Sequence, residues 1–347
     1  MLLASCLGLC LALLLQSCAP HSALVTIPIL PNTTASGQGW KWTSACRVGP
    51  SSPAGCDPSG PNLGWAQLDG DEWNLGGPAT AGSVSMSLDA RGGLAVQGDL
   101  TSAPPCTTAT CIASSANTWV RGFPSVSYGL NQCAATTSPP ESPHLRLPIQ
   151  VSALPADLIG TATYASQMSD VTYDIAYDMW LNPSGTTTPC KADGTLEVMM
   201  WTDYDTTALL PDGMKLGVAT IPYAVNGTAS PGTGAWSVYA SNVSAGGHTV
   251  PWGGTVWLVL NQADIVVDGT VSVDISAGLA AVGTLLQTTY GWTNFAKTYW
   301  LDTIPLGAEF GPASGDAYGA GPTRFSLGLS SYCLTLGTTV SKAACPS

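Results

Sequence analysis

Apolar and polar residues alternate along much of this chain in short runs, separated by glycine, proline, serine and asparagine. The clearest runs are SVSMSLDA (83–90), GLAVQGDL (93–100), RLPIQVSAL (146–154), VTYDIAYDMWLN (171–182), TLEVMMWTDY (195–204), TVWLVLNQ (255–262), DGTVSVDI (268–275) and TRFSLGLSSYCL (323–334). A strand points successive side chains to opposite faces, so period two repeated at this spacing predicts antiparallel sheets stacked as a sandwich or jelly roll. One segment breaks the pattern. In ISAGLAAVGTLLQTTYGW (275–292), Leu279, Val282, Leu285 and Leu286 share one side of a helix, and one short helix is expected there.

The alternation also bounds the domains. Residues 1–18 (MLLASCLGLCLALLLQSC) are an apolar run too short and too early for a spanning helix, and they read as an export signal. Leu15-Gln16-Ser17-Cys18 resembles a bacterial lipoprotein box, so either ordinary cleavage or a lipid anchor at Cys18 is expected, and with it a secreted or envelope-anchored protein. Residues 19–39 read as a tether without periodic apolar pattern, and 40–347 as one β domain with loop insertions around 100–142.

Charge narrows the partners. Only 9% of residues are charged and acids outnumber bases 22 to 10, so nucleic acid and anionic membrane surfaces would be repelled rather than gathered. Trp (12) and Tyr (11) outnumber Phe (4), favouring aromatics that pair a flat apolar face with a hydrogen-bonding edge, as sugar rings require. The competing account is amphipathic aromatics at the rim of a β core. With Cys6, Cys10 and Cys18 in the leader, eight cysteines remain, an even number that suggests disulfides in an exported chain. Nearest-neighbour closure pairs 46 with 56, 106 with 111, 333 with 345, and leaves 133 with 190. There is no CxxC, and His21, His144 and His248 are the only histidines, so no metal or other cofactor is expected.

The chain has four glutamates, Glu72, Glu141, Glu197 and Glu309. In TLEVMMWTDY, alternation puts Glu197, Met199, Trp201 and Asp203 on one face and Leu196, Val198, Met200 and Thr202 on the other. A carboxylate beside an aromatic is what a sugar cleft needs; an incidental Glu on an exposed strand face is the alternative. Asp174, Ala176, Asp178 and Trp180 likewise share a face. Glu309 stands in LDTIPLGAEFGPASG, where a strand enters a glycine-rich loop.

AYDMWLN, then LEVMMW, then YWLDTIPLGAEFG together resemble glycoside hydrolase family 12, mostly endo-β-1,4-glucanases, some of which cleave xyloglucan. RGFPSVSYG (121–129) and LPIQVSAL (147–154) add to the likeness, which spans roughly 60 to 335. The resemblance implies an all-β jelly roll of two antiparallel sheets with a concave substrate cleft, acting on β-glucan as a monomer with retention of configuration. It implies Glu197 as nucleophile, Glu309 as general acid/base and Asp178 as the aspartate supporting the nucleophile, with Asp174 an alternative for that role. Met199, Trp201 and Trp180 would line the cleft. GDEWNLGG (70–77) resembles the family's Asn-Asn-x-Trp-Gly and would make Trp73 a stacking platform, although Asp71 and Glu72 replace the asparagines. A non-catalytic carbohydrate-binding jelly roll is the rival from another class; it would not require glutamates in both contexts.

Overall fold

The computed structural model describes residues 24–30, 41–43, 62–63, 65–70, 80–88, 93–105, 119–129, 141–185, 194–207, 211, 213–229, 234–244, 247–248, 254–313 and 321–346. The alternating runs become strands of two stacked sheets, except RLPIQVSAL, where only Ile149–Gln150 is extended and Val151–Ala153 closes a 3-10 turn.

The first sheet runs, edge to edge, Thr228–Ala229, Tyr223–Val225, Asp268–Asp274, Ile159–Ser169, Thr323–Leu336, Leu94–Ser102, Ala81–Leu88 and Lys41–Thr43. The second runs Met214–Thr220, Ala235–Ser241, Gly254–Leu260, Leu196–Tyr204, Val171–Asn182, Trp300–Pro312, Ser125–Gly129, Ala66–Asp69 and Asn62–Leu63. The jelly-roll sandwich expected from the alternation is therefore the architecture found. One detail differs: Leu196–Tyr204 and Gly254–Leu260 run parallel, because residues 205–253 include two further strands of the same sheet before the chain returns.

Burial follows parity. Ile175, Tyr177, Met179, Leu196, Val198, Met200, Leu306, Ala308 and Phe310 face the first sheet and join the main core. Contacts between the sheets include Tyr177 edge-on to Tyr332, with ring centroids 6.0 Å apart, and Phe310 against Phe325 at 4.9 Å. Each such side chain removed from water contributes roughly 1.5–3 kcal/mol, and this burial is what clamps the sheets.

The helix falls where expected, at Ile275–Tyr290. The Asp274 carboxylate caps its start by accepting from the Ala277 N–H at 2.8 Å, and Gly291, at φ 77°, ends it in the left-handed conformation. Gly278 lets the helix approach the second sheet, since a Cβ there would lie 2.7 Å from Met200 Cε. The helix thus backs the core side of the strand that carries Glu197.

The tether reading fails in part. Val25–Leu30 is a strand paired with Thr323–Leu336, and Ile27, Ile29 and Leu30 are buried. VTIPIL has its own alternation, but a run this short in a polar, proline-containing context is marked as a strand only by its partner, residues 332–336, which lie beyond the stretch 323–329 paired with Leu94–Ser102. Cys333 and Cys345 form the expected disulfide, with Cα atoms 5.4 Å apart. The six other cysteines of the proposed pairs lie outside the described residues.

Candidate active site

The face of the second sheet that points away from the first carries the candidate residues, because the apolar residues of the same strands are spent on the core. On Val171–Asn182 that face holds Asp174, Ala176, Asp178 and Trp180, as alternation predicted. On Trp300–Pro312 it holds Gly307 and Glu309, between core residues Leu306, Ala308 and Phe310. On Leu196–Tyr204 it holds Glu197, Met199 and Trp201. Asp203 is a correction: Ala176 pairs with Trp201 but Ile175 pairs with Asp203, so a bulge at Thr202 inserts one residue and reverses parity. Asp203 therefore turns between the sheets, where it accepts from Tyr173 Oη at 3.1 Å and Ser166 Oγ at 3.2 Å. Tyr204 takes its place beside Met199, Trp201 and Ala176.

Register places the carboxyls. Glu197 lies opposite Trp180, Asp178 opposite Met199, and Asp174 opposite Tyr204 on one side and Glu309 on the other. Asp178 is thus a diagonal neighbour of Glu197. Asp174 faces Glu309 instead, which separates the two aspartates that the sequence left as alternatives. The Asp174 carboxyl is within hydrogen-bonding reach of Glu309 and within electrostatic range of Asp178 and Glu197, so all four belong to one cluster. Glu197 is partly exposed, whereas Asp174, Asp178 and Glu309 are buried.

The sequence missed a partner of Glu197. Thr255 Oγ1 donates to Glu197 Oε2 at 2.6 Å. Alternation in TVWLVLNQ puts Thr255, Trp257 and Val259 on one face, but nothing local says which strand lies alongside; the parallel pairing of Glu197 with Thr255 and Met199 with Trp257 decides it. The same lateral register continues from Trp257 to Tyr239 and from Tyr239 to Lys215, whose Nζ sits 5.8 Å above the Tyr239 ring. Trp201 has only 2% of its surface exposed, so its ring is packed rather than offered as an open platform. The partly exposed aromatics packed against the apolar group of Ala176, Met199, Trp201, Tyr204 and Val259 are Trp119, Tyr239 and Trp257. Trp180 is buried beside Glu197, and Trp73 lies outside the described residues.

Burial shapes the acids here. Desolvation pushes Asp174 well above the ordinary carboxyl range; contact with Glu309 works against that shift, and the charges of Asp178, Glu197 and Asp203 add to it. Desolvation likewise lifts Asp203 to about 6, against the lowering effect of its hydroxyl donors, and Asp302 to about 7, against its bond from Asn182.

The chain aligns along nearly the full length of solved structures with this architecture. One is an endo-1,4-β-glucanase, a cellulase in its native form: 18% identity, 82% of this chain and 98% of the other covered, TM-score 0.52. This is the fold of the family 12 glycoside hydrolases. A family 12 xyloglucanase from Bacillus licheniformis in complex with ligand is 16% identical over 80% of this chain and 97% of its own, with TM-score 0.52. A metagenome-derived family 12 endoglucanase is 15% identical over 85% and 99%, with TM-score 0.50. No protein-family model and no curated protein sequence matches this chain. The shared family 12 fold therefore rests on shape.

Proposed function

We propose that this chain is a retaining, endo-acting glycoside hydrolase that cleaves β-1,4-glucan chains (cellulose, mixed-linkage glucan or xyloglucan) by double displacement. The observation that carries the reading is one cluster of carboxyls on the free face of one sheet, with Glu197 and Glu309 on strands separated only by the strand of Asp178. Glu197 attacks the anomeric carbon while Glu309 passes its proton to the departing glycosidic oxygen; the glycosyl-enzyme is then hydrolysed by water that Glu309 deprotonates. Such chemistry works with the two carboxyls roughly 5–5.5 Å apart. Thr255 and Asp178 hold Glu197, one oxygen bonded and the other aimed at the sugar. Trp257, Tyr239 and Trp119 offer ring faces to neighbouring sugar units. Export, free or anchored through Cys18, would bring the enzyme to its polymer, and the Cys333–Cys345 disulfide suits that setting.

The test is hydrolysis of soluble cellulose derivatives, mixed-linkage glucan and xyloglucan, with the first-formed anomer followed by proton NMR. β-Anomer appearing first, together with products of intermediate length, is expected; first-formed α-anomer, or no turnover of any of the three, sinks the reading. Thr255→Val should lower kcat about tenfold with little change in KM, since a hydrogen bond to a charged group contributes roughly 1.5–3 kcal/mol. An unchanged kcat would mean that Thr255 does not position Glu197.

A further inference from the structure

Asp174 is the acid in this cluster for which the hydrolytic steps assign no work. It is fully buried, and its Cα is the cross-strand partner of Glu309, itself only 9% exposed. Neither of its oxygens receives a hydrogen bond from an N–H or hydroxyl among the described residues. What it meets is the Glu309 carboxyl. Two carboxyls can bond to one another only if at least one carries a proton, and an ionised Asp174 would stand unsolvated among like charges.

We propose that Asp174 is a positioning residue for Glu309: it keeps its own proton and donates it as a hydrogen bond to Glu309. The inference rests on the reading of Glu309 as the acid/base. The bond directs the remaining Glu309 oxygen at the glycosidic bond. When Glu309 gives its proton to the leaving oxygen and the C–O bond breaks, the Asp174 hydroxyl already points at the new carboxylate and stabilises it. When water attacks, its proton returns to Glu309 and the pair is restored, with the Asp174 proton never transferred.

The groups facing Asp174 support this assignment. Tyr204 lies opposite it on one neighbouring strand, Glu197 and Asp203 act on it from that same strand, Glu309 from the other neighbour, and Asp178 from its own. The nearby Arg121, on the segment bridged to Phe310, directs its guanidinium to the carbonyls of Ala103, Trp119 and Val120. Burial and the charges of Asp178, Glu197 and Asp203 disfavour its ionisation, while the contact with Glu309 works the other way.

The experiment follows carboxyl 13C resonances of the full-length chain through a pH titration. With four glutamates in the chain, Glu309 is assigned by its loss in Glu309→Gln, and Asp174 by its loss in Asp174→Asn. In the wild type, Asp174 should remain protonated through the pH at which Glu309 ionises; Asp174 ionising first overturns the proposal. In Asp174→Leu, which removes the donor, the Glu309 midpoint should rise by about one pH unit or more, and in Asp174→Asn, which keeps a neutral donor, it should return toward the wild-type value. The same Glu309 midpoint in all three proteins also overturns it. β-Glucan turnover is read separately: Glu309 responding to Asp174 in a protein without turnover leaves the pairing intact and sinks the hydrolase reading, whereas turnover with an indifferent Glu309 does the reverse.

Discussion

Glu197→Gln should lower kcat on a soluble β-1,4-glucan by roughly 10⁴-fold while leaving binding of the polymer nearly intact. An amide cannot form the glycosyl-enzyme, yet it matches the carboxylate in shape, so the ring faces that hold the chain are undisturbed. Glu309→Ala separates the two chemical steps. With a polymer, whose leaving group is a poor one, loss of the proton donor should cost about 10²–10⁴-fold. With an activated aryl glycoside the first step needs no acid, so glycosylation survives and the covalent intermediate accumulates. Azide, which needs no general base, should then rescue turnover and yield the β-glycosyl azide. If Glu197→Gln retains polymer turnover, or if Glu309→Ala is equally impaired on both kinds of substrate and azide changes nothing, the assignment of roles is wrong. A purely sugar-binding jelly roll would show unchanged binding throughout and no turnover in the parent protein.

The second large effect is on stability and comes from acids buried away from the chemistry. Asp203, between the sheets, is raised from 3.8 to about 6, and Asp302 from 3.8 to about 7, both by desolvation first. A carboxyl whose folded pKa lies above its unfolded value binds a proton more tightly when folded. Its contribution is fully present below the unfolded pKa and is lost as pH rises through the folded one. The window is therefore about pH 4 to 6 for Asp203 and about 4 to 7 for Asp302. At ~1.4 kcal/mol per pH unit, the loss amounts to about 3 kcal/mol for Asp203 and about 4 for Asp302. Self-repulsion within a chain of net charge −12 pushes in the same direction, so the wild-type slope alone does not isolate these residues. Urea unfolding between about pH 4 and 7 should show stability falling with pH in the wild type and a flatter dependence in Asp203→Asn with Asp302→Asn. An equal slope in both proteins would mean that the two carboxyls ionise in the fold as they do in water.

Much of the site was legible because strand parity is a local property. Glu197 with Met199 and Asp178 with Trp180 each follow from counting by twos, whereas the alternation around Glu309, between core-facing Ala308 and Phe310, is seen only in the fold. Asp203 shows where counting stops: the bulge at Thr202 adds one residue, every side chain beyond it changes face, and no residue type in MMWTDY announces it. The two aspartates of VTYDIAYDMW make the same point laterally. Both face the site, yet only register assigns Asp178 to the side of Glu197 and Asp174 to Glu309. Thr255 was out of reach for a related reason, since it meets Glu197 after a return through residues 205–253. Burial, too, belongs to the assembled sandwich: Trp201 has the right parity and the wrong accessibility for an open platform.

By itself, then, the sequence determined a two-faced β architecture, the helix at Ile275–Tyr290, and which acids could share a surface with aromatics. These depend on the extended and helical periods, which each residue and its near neighbours set. Only the tertiary structure decided which strands are adjacent and in what register, that Val25–Leu30 belongs to the sandwich, and that Asp174 lies against Glu309. Those choices come from packing two apolar faces together and closing loops of very different length, and their free energy is shared across the whole chain.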